Sequence, residues 1–205
     1  AQAWWQTYEE RQREHVYLQN LLVDVTEFER RLSLAIGQEK NAEASTHSLV
    51  AALQSGEPLI VDSIRAWMTP PRSIFWYADP RLVMGTANSL HQTGDLKILR
   101  SEATRQAVSG YANDIEGEWI EFGRWVDEDV RALMVFEQTG SRVVERYPLY
   151  RDRASSAARS AQFINAMRDD PELRAILITV ETARRNRIFY LEQMREVTQK
   201  LRQVI

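Results

Sequence analysis

Apolar residues recur at alternating steps of three and four along most of this chain, a spacing that places them on one face of an α-helix. The first series consists of Leu18, Leu21, Val25, Phe28, Leu32 and Ala35, with Leu22 and Ile36 widening it. These steps match the a and d positions of a coiled-coil heptad. The pattern predicts a helix near 20–36 that ends at Gly37, and a second helix near 38–55 that stops at Gly56-Glu57-Pro58.

Two further long helices are predicted in the second half of the chain. Ser101-Glu102 starts a helix near 102–138, whose apolar positions are Val108, Tyr111, Ile115, Trp119, Phe122, Val126, Val130 and Leu133. Asp170-Pro171-Glu172 has the form of a capped helix start with proline in the first turn. It predicts a helix near 171–204, preceded by a helical piece near 155–168, and Leu177 and Val180 belong to its apolar stripe. Asp79-Pro80 has the same form and predicts a shorter helix that stops near Gly94.

Strand patterns are nearly absent from the sequence. We therefore predict an all-α fold, an antiparallel helical bundle of about four long helices with shorter connecting helices between 59 and 93. No repeat of fixed period and no low-complexity linker divides the chain. The sequence thus predicts a single helical-bundle domain over residues 1–205.

Composition excludes several classes of protein. A formal net charge of −3 at pH 7 argues against nucleic-acid binding, which concentrates basic charge. The absence of cysteine excludes disulfides, thiolate nucleophiles and cysteine-based metal sites. No stretch of the sequence reaches about 18 consecutive apolar residues, so the 205 residues predict no transmembrane span of their own.

Sequence motifs for catalysis are also missing. His15, His47 and His91 all lie outside the Glu-x-x-His arrangement of a di-iron site in a helical bundle. Glu43 and His47 are four residues apart, which an exposed pair on one helix face explains better than a metal site does. No nucleophile elbow, phosphate-binding loop or dinucleotide motif occurs. We therefore expect a protein that is not an enzyme and that needs no cofactor and no metal.

Three aromatic residues, Trp4, Trp5 and Tyr8, directly precede the charged stretch 9–14. Amphipathic rings of this kind anchor a transmembrane helix where it leaves the headgroup layer. The order predicts that residues 1–17 continue a transmembrane helix lying upstream, with the three rings at the membrane interface. In the alternative interpretation, the rings pack the first helix against the core of a soluble protein.

A second group of aromatic residues surrounds Pro70-Pro71 and consists of Trp67, Phe75, Trp76 and Tyr77. These side chains either cap the end of the bundle or form a surface for a partner protein or a lipid. Aromatic side chains dominate buried interface hot spots. We therefore place the candidate partner-binding surface here.

Charged residues provide two further candidates. Arg184, Arg185 and Arg187 lie where the apolar spacing of the last helix shifts between Ala183 and Ile188, so at least one guanidinium is expected to point inward. Arg184 and Arg187 are candidates for binding an anion, because a guanidinium binds carboxylate or phosphate through two hydrogen bonds. Alternatively, they pair with an acid of a neighbouring helix.

The long helix near 102–138 also carries an acidic run. Its members are Asp114, Glu116, Glu118, Glu121, Asp127, Glu128 and Asp129. Because the run flanks the apolar stripe, it predicts a solvated helix face, although it would also suit cations or a basic partner.

The stretch 89–102, with the sequence SLHQTGDLKILRSE, and the following Arg105, Val108 and Tyr111 resemble a motif of a bacterial family of single-pass membrane proteins. That motif reads L-x-x-[ST]-G-x-L-x-L-[IL], followed by L-R-x-x-L-x-x-Y. Trp4-Trp5 resembles the end of the transmembrane helix in this family, and the stretch 170–174 resembles the start of its last helix. The resemblance implies an N-terminal transmembrane helix and a helical extracytoplasmic domain, located on the periplasmic side of the bacterial inner membrane.

Two functions fit these features. The first is a non-enzymatic, membrane-anchored helical domain that acts as an interaction or scaffolding element. It would bind a protein partner and no nucleic acid, as an accessory subunit of a respiratory or photosynthetic type of membrane complex. The alternative is an extracytoplasmic sensory domain that binds a small anionic ligand between helices. An enclosed pocket lined by Arg184 or Arg187 would favour sensing, whereas an exposed aromatic patch would favour docking.

Overall fold

A computed structural model of the protein describes residues 2–56, 78–145 and 168–205. The structure is 90% helical, and its described residues contain no strand. The helices of these ranges are α1 (Gln2–Ser55), α2 (Gly85–Gln92), α3 (Glu102–Glu145) and α4 (Pro171–Val204), with a 3-10 helix at Asp95–Ile98. They pack against one another, which confirms the predicted all-α helical bundle. The predicted helical segments between 59 and 77 and between 155 and 167 lie outside the described residues.

Helix α1 is one continuous helix of 54 residues, so the predicted break at Gly37 is wrong. The buried positions continue through this glycine without interruption, from Ala35 to Glu39 and Ala42. An exposed glycine inside a helix costs only about 1 kcal/mol relative to alanine. The core contacts on both sides of Gly37 outweigh this cost.

Helix α2 begins at Gly85, so the predicted start at Asp79-Pro80 is also wrong. Asp79 Oδ1 instead accepts a hydrogen bond from the backbone N–H of Arg81 at 3.1 Å, which closes a local turn. The first turn of α2 is capped from another helix, because Asp24 Oδ2 of α1 accepts a hydrogen bond from the backbone N–H of Thr86 at 2.8 Å. The end of α2 agrees with the prediction, since Gly94 adopts a φ of 71° just after it.

The starts of α3 and α4 are confirmed. Ser101 Oγ accepts a hydrogen bond from the backbone N–H of Thr104 at 3.2 Å, and so caps α3. Asp170 Oδ1 accepts hydrogen bonds from the backbone N–H groups of Glu172 and Leu173 at 2.9 and 3.2 Å, and so caps α4. Both caps are formed by residues next to the helix they start, which is why the sequence predicts them.

The chain forms two compact units. Unit 1 consists of Ala1–Ala35, Asp79–Glu121 and Tyr190–Ile205, and unit 2 consists of Ile36–Ala78 and Phe122–Phe189. Each unit contains part of α1, part of α3 and part of α4. The single domain over residues 1–205 stays a prediction.

The core of unit 1 follows the predicted first series. Its buried side chains include Leu21, Val25, Phe28, Leu32, Leu90, Leu99, Val108, Ile115, Leu191 and Met194. Ile36, which was predicted to widen the series, belongs to unit 2 and is buried there, whereas Leu22 is 42% exposed.

The core of unit 2 includes Phe122, Leu177 and Val180, as predicted. The apolar stripe of α3 differs from the prediction here, because Val126 is only half-buried and Val130 is exposed. In unit 2 the buried side chains of α3 include Phe122, Asp129 and Phe136, which are spaced one heptad apart. The heptad spacing of α3 therefore continues in unit 2, with the acidic residue Asp129 at one of its buried positions.

Candidate functional site

The first candidate site is an aromatic cluster near the start of α1, formed by Trp4, Trp5 and Tyr8. The three residues lie on the same continuous helix as Leu18 and Ile36, as predicted. Their ring centroids are separated by 6.2 Å (Trp4–Trp5), 5.9 Å (Trp4–Tyr8) and 5.8 Å (Trp5–Tyr8). The residues are 69%, 55% and 45% exposed, in the same order. The rings therefore contact each other at the surface of the described residues, and both interpretations of the cluster stay predictions.

This cluster presents large rings to the outside. The next turns of α1 carry Glu9, Glu10 and Glu14 together with Arg11 and Arg13. Side chains such as Trp and Tyr combine an apolar body with a polar tip and suit an interface that is apolar on one side and wet on the other. The described helices include none with the length and apolar character required to cross a bilayer.

The second candidate site is a charge layer inside unit 2, formed by Glu39, Asp129, Arg184 and Arg187. Glu39 belongs to α1, Asp129 to α3 and both arginines to α4. Both arginines and Glu39 have no exposed surface, and Asp129 is 1% exposed. The buried series of α4 runs through Val180, Arg184, Arg187 and Leu191 in steps of four and three, so the slip expected beside Ile188 does not occur.

Hydrogen bonds of Arg187 connect the three helices of this layer. Its Nη1 donates to Asp129 Oδ2 at 2.5 Å, and its Nη2 donates to Glu39 Oε1. Arg184 Nη2 lies 3.7 Å from the same Asp129 oxygen. The backbone N–H of Ala78 also donates to Glu39 Oε1, at 2.6 Å. The guanidinium of Arg187 lies 5.7 Å from the ring centroid of Phe122, within the range of a cation–π contact.

Burial dominates the electrostatics of the charge layer. It raises the pKa of Glu39 above its ordinary value, while Arg187 and the Ala78 N–H act in the opposite direction. Burial likewise raises the pKa of Asp129, against the effect of Arg184 and Arg187. Two guanidinium groups and two carboxyl groups face each other, so the layer can balance its charge internally.

Polar side chains at the surface of unit 2 pair between α1 and α4. His47 Nδ1 lies 2.9 Å from Glu181 Oε1, and Arg185 Nε donates to Glu43 Oε1 at 3.0 Å. Glu43 and His47 thus each have a partner on α4. Together with Glu39–Arg187, these pairs show that α1 and α4 are antiparallel in unit 2, because later α1 residues meet earlier α4 residues.

The structure assigns the sequence-predicted charged residues as follows. Arg184 and Arg187 bind acids of neighbouring helices, one of the two predicted alternatives, and their binding of a free anion stays a prediction. Asp129 was expected on a solvated face and is buried, because its heptad position faces the core. Glu39 was missed, although its spacing from Ala35 and Ala42 places it in the buried series. The described residues contain no group of three or more His, Cys, Asp or Glu side chains suited to a metal ion.

The predicted partner-binding residues Trp67, Phe75, Trp76 and Tyr77 lie outside the described residues. Comparison of the chain with known protein families, curated proteins and solved structures finds no match. Function is therefore inferred from the two clusters described above.

Proposed function

We propose that this protein is a membrane-anchored helical domain without enzymatic activity, which acts as an interaction or scaffolding element of a bacterial membrane complex. A transmembrane helix N-terminal to α1 attaches it to the inner membrane, and the bundle lies on the periplasmic side. The observation that carries this proposal is the exposed cluster of Trp4, Trp5 and Tyr8.

Exposure of the cluster supports a location at the membrane interface. An isolated exposed aromatic residue needs no explanation, but contiguous exposed apolar surface marks a protein or membrane interaction site. Tryptophan and tyrosine are enriched at the level of the lipid headgroups. The charged residues that follow, such as Glu9 and Arg11, suit the aqueous side of that boundary.

The charge layer supports a structural role in place of a catalytic or sensory one. Its four side chains are buried, and Arg187 bonds to both acids of the layer, so they do not meet a substrate or ligand in solvent. A sensory site built on Arg184 and Arg187 would have to displace Asp129 and Glu39 from them. Removing one partner of a buried ion pair is strongly destabilising, which favours the interaction function.

Flotation of the 205-residue chain with phosphatidylcholine vesicles tests the membrane-interface part of the proposal. We expect the chain to float with the vesicles. The variant W4A/W5A/Y8A should have a vesicle affinity at least about tenfold lower. A loss of roughly 60 Å² of buried apolar surface already costs about 1.4 kcal/mol, which corresponds to a factor of about ten. The variant V16A/L22A/V23A is the matched control, since it removes three exposed apolar side chains from the same helix. Equal flotation of both variants, or no flotation of the unmodified chain, contradicts the proposal.

A pull-down from native membranes tests the interaction part. We expect Trp76→Ala to lose a partner that the unmodified protein retains, with an unchanged melting temperature. If both proteins retain the same partners in equal yield, the partner does not bind at Trp76.

A further inference from the structure

Buried positions follow one heptad pattern in each helix of unit 2. In α1 they include Glu39, Ala42, Thr46, Leu49 and Leu53, and in α4 they include Leu173, Leu177, Val180, Arg184 and Arg187. A regular heptad pattern allows two helices to pack in more than one register, because a shift by one heptad again places apolar side chains face to face.

The charge layer distinguishes these registers. A shift of α4 by one heptad would place Leu177 and Val180 at the level where Arg184 and Arg187 now face Glu39 and Asp129. Both acids would then be buried against aliphatic side chains, and the arginines would be buried elsewhere without these acids. A buried charge without its partner is strongly destabilising, whereas aliphatic side chains tolerate either arrangement.

We infer that the charge layer of Glu39, Asp129, Arg184 and Arg187 selects the register in which α4 packs against α1 and α3 in unit 2. In this role the layer determines which register forms, and it does not make the folded protein more stable. Removing four charges from water costs about as much as their mutual attraction returns, and well-packed apolar residues of similar volume serve stability equally well. Single polar residues in coiled-coil cores select register in the same way.

Thermal unfolding separates a register role from a stability role. The variant R187M removes the guanidinium that bonds to both Glu39 and Asp129 and should lower the melting temperature by about 6 to 20 °C. The variant E39M/D129L/R184M/R187M removes the whole layer and should melt at or above the temperature of the unmodified protein. If this fourfold variant fails to fold or melts below R187M, the layer is needed for stability and the inference is wrong.

Cross-linking measures the register directly, because the chain contains no cysteine of its own. The pair H47C/E181C replaces an α1–α4 contact at the surface of unit 2. The pairs H47C/R174C and H47C/I188C report shifts of α4 by one heptad in either direction. A short bis-maleimide should link the first pair at least about tenfold faster than the shifted pairs when the charge layer is present.

In the fourfold variant we expect this preference to fall to about threefold or less, because the remaining members of the buried series of α4 in unit 2, Leu173, Leu177 and Val180, are apolar. If the native pair keeps its full preference in the folded fourfold variant, another feature sets the register and the inference is overturned. Absence of the preference in the cysteine variants that retain the charge layer would overturn it equally.

Discussion

At the scale of single residues, the two carboxyl oxygens of Glu39 have different surroundings. Oε1 accepts hydrogen bonds from Arg187 and from the backbone N–H of Ala78, whereas Oε2 accepts none from the described residues. A buried oxygen without a donor is costly when it is charged. Protonation at Oε2 would relieve that cost, in agreement with the raised pKa of this group.

We expect Glu39→Gln to alter how stability depends on pH. Since burial raises the pKa of Glu39, the folded chain holds this proton more tightly than the unfolded chain does. The contribution of Glu39 is therefore fully present below its ordinary pKa of 4.5 and is lost as the pH rises through the raised value. In urea unfolding, the stability of the unmodified chain minus that of the variant should decrease as the pH rises above 4.5.

Asp129, Arg184 and Arg187 are present in both proteins, so the desolvation of these three groups contributes to both measurements. Glu27 provides a control of opposite sign, since hydrogen bonds from Arg30 and Arg31 lower its pKa to about 2. The stability of the unmodified chain minus that of Glu27→Gln should decrease as the pH falls from 4.5 towards about 2. If the stability of the unmodified chain minus that of Glu39→Gln rises with pH, then Arg187 lowers the pKa of Glu39 more than burial raises it.

Core packing at Phe122 gives a second prediction at this scale. Phe122 is 4% exposed, so Phe122→Ala should reduce the free energy of unfolding by about 3 to 5 kcal/mol. Ile120 on the same helix is 61% exposed, and Ile120→Ala should change stability by less than about 0.5 kcal/mol. Urea unfolding measures both, and a loss below about 1 kcal/mol for Phe122→Ala would show that its packing contributes little.

At the scale of secondary structure, some helices are capped by a residue next to them in the sequence and others by a residue far away in the sequence. The starts of α3 and α4 depend on Ser101 and Asp170, which cap the turn that follows them. The start of α2 depends on Asp24, which lies 62 residues earlier in the sequence. A prediction from local sequence therefore succeeds for α3 and α4 and fails for α2.

The glycine inside α1 provides a test at this scale. We expect Gly37→Ala to raise the free energy of unfolding by about 0.4 to 1 kcal/mol, because alanine favours the helix and its Cβ would meet nothing within 4 Å. Gly94→Ala should instead be destabilising, since Gly94 has a φ of 71°. Urea unfolding compares the two variants, and a destabilised Gly37→Ala would indicate that α1 bends at this position in solution.

At the scale of the whole molecule, neither unit consists of one continuous chain segment. Unit 1 contains the first part of α1 and the last part of α4, and unit 2 contains the last part of α1 and the first part of α4. Each long helix is thus shared by the two units.

We therefore expect the chain to unfold in a single cooperative transition, as predicted for one domain. Far-UV circular dichroism, which follows the helices, and tryptophan fluorescence, which follows their packing, should give coincident urea curves. Two separated transitions would show that the units are independent folding domains. The variant Phe122→Ala adds a check, since it should shift both signals equally.

The sequence by itself determined the features that depend on neighbouring residues. These are the all-α class, the long helices with their heptad spacing, the caps at Ser101 and Asp170, and the helical position of Trp4, Trp5 and Tyr8. Helix formation and capping involve residues within about one turn, so their signals lie within a short stretch of sequence.

Only the tertiary structure decided which charged residues are buried and which apolar residues are exposed. Glu39 and Asp129 lie in the core because Arg187, 148 and 58 residues away, bonds to them. Leu22 lies outside because no helix of the described ranges covers its face of α1. Such outcomes depend on the faces that distant helices present to each other, and the heptad pattern of one helix does not contain this information.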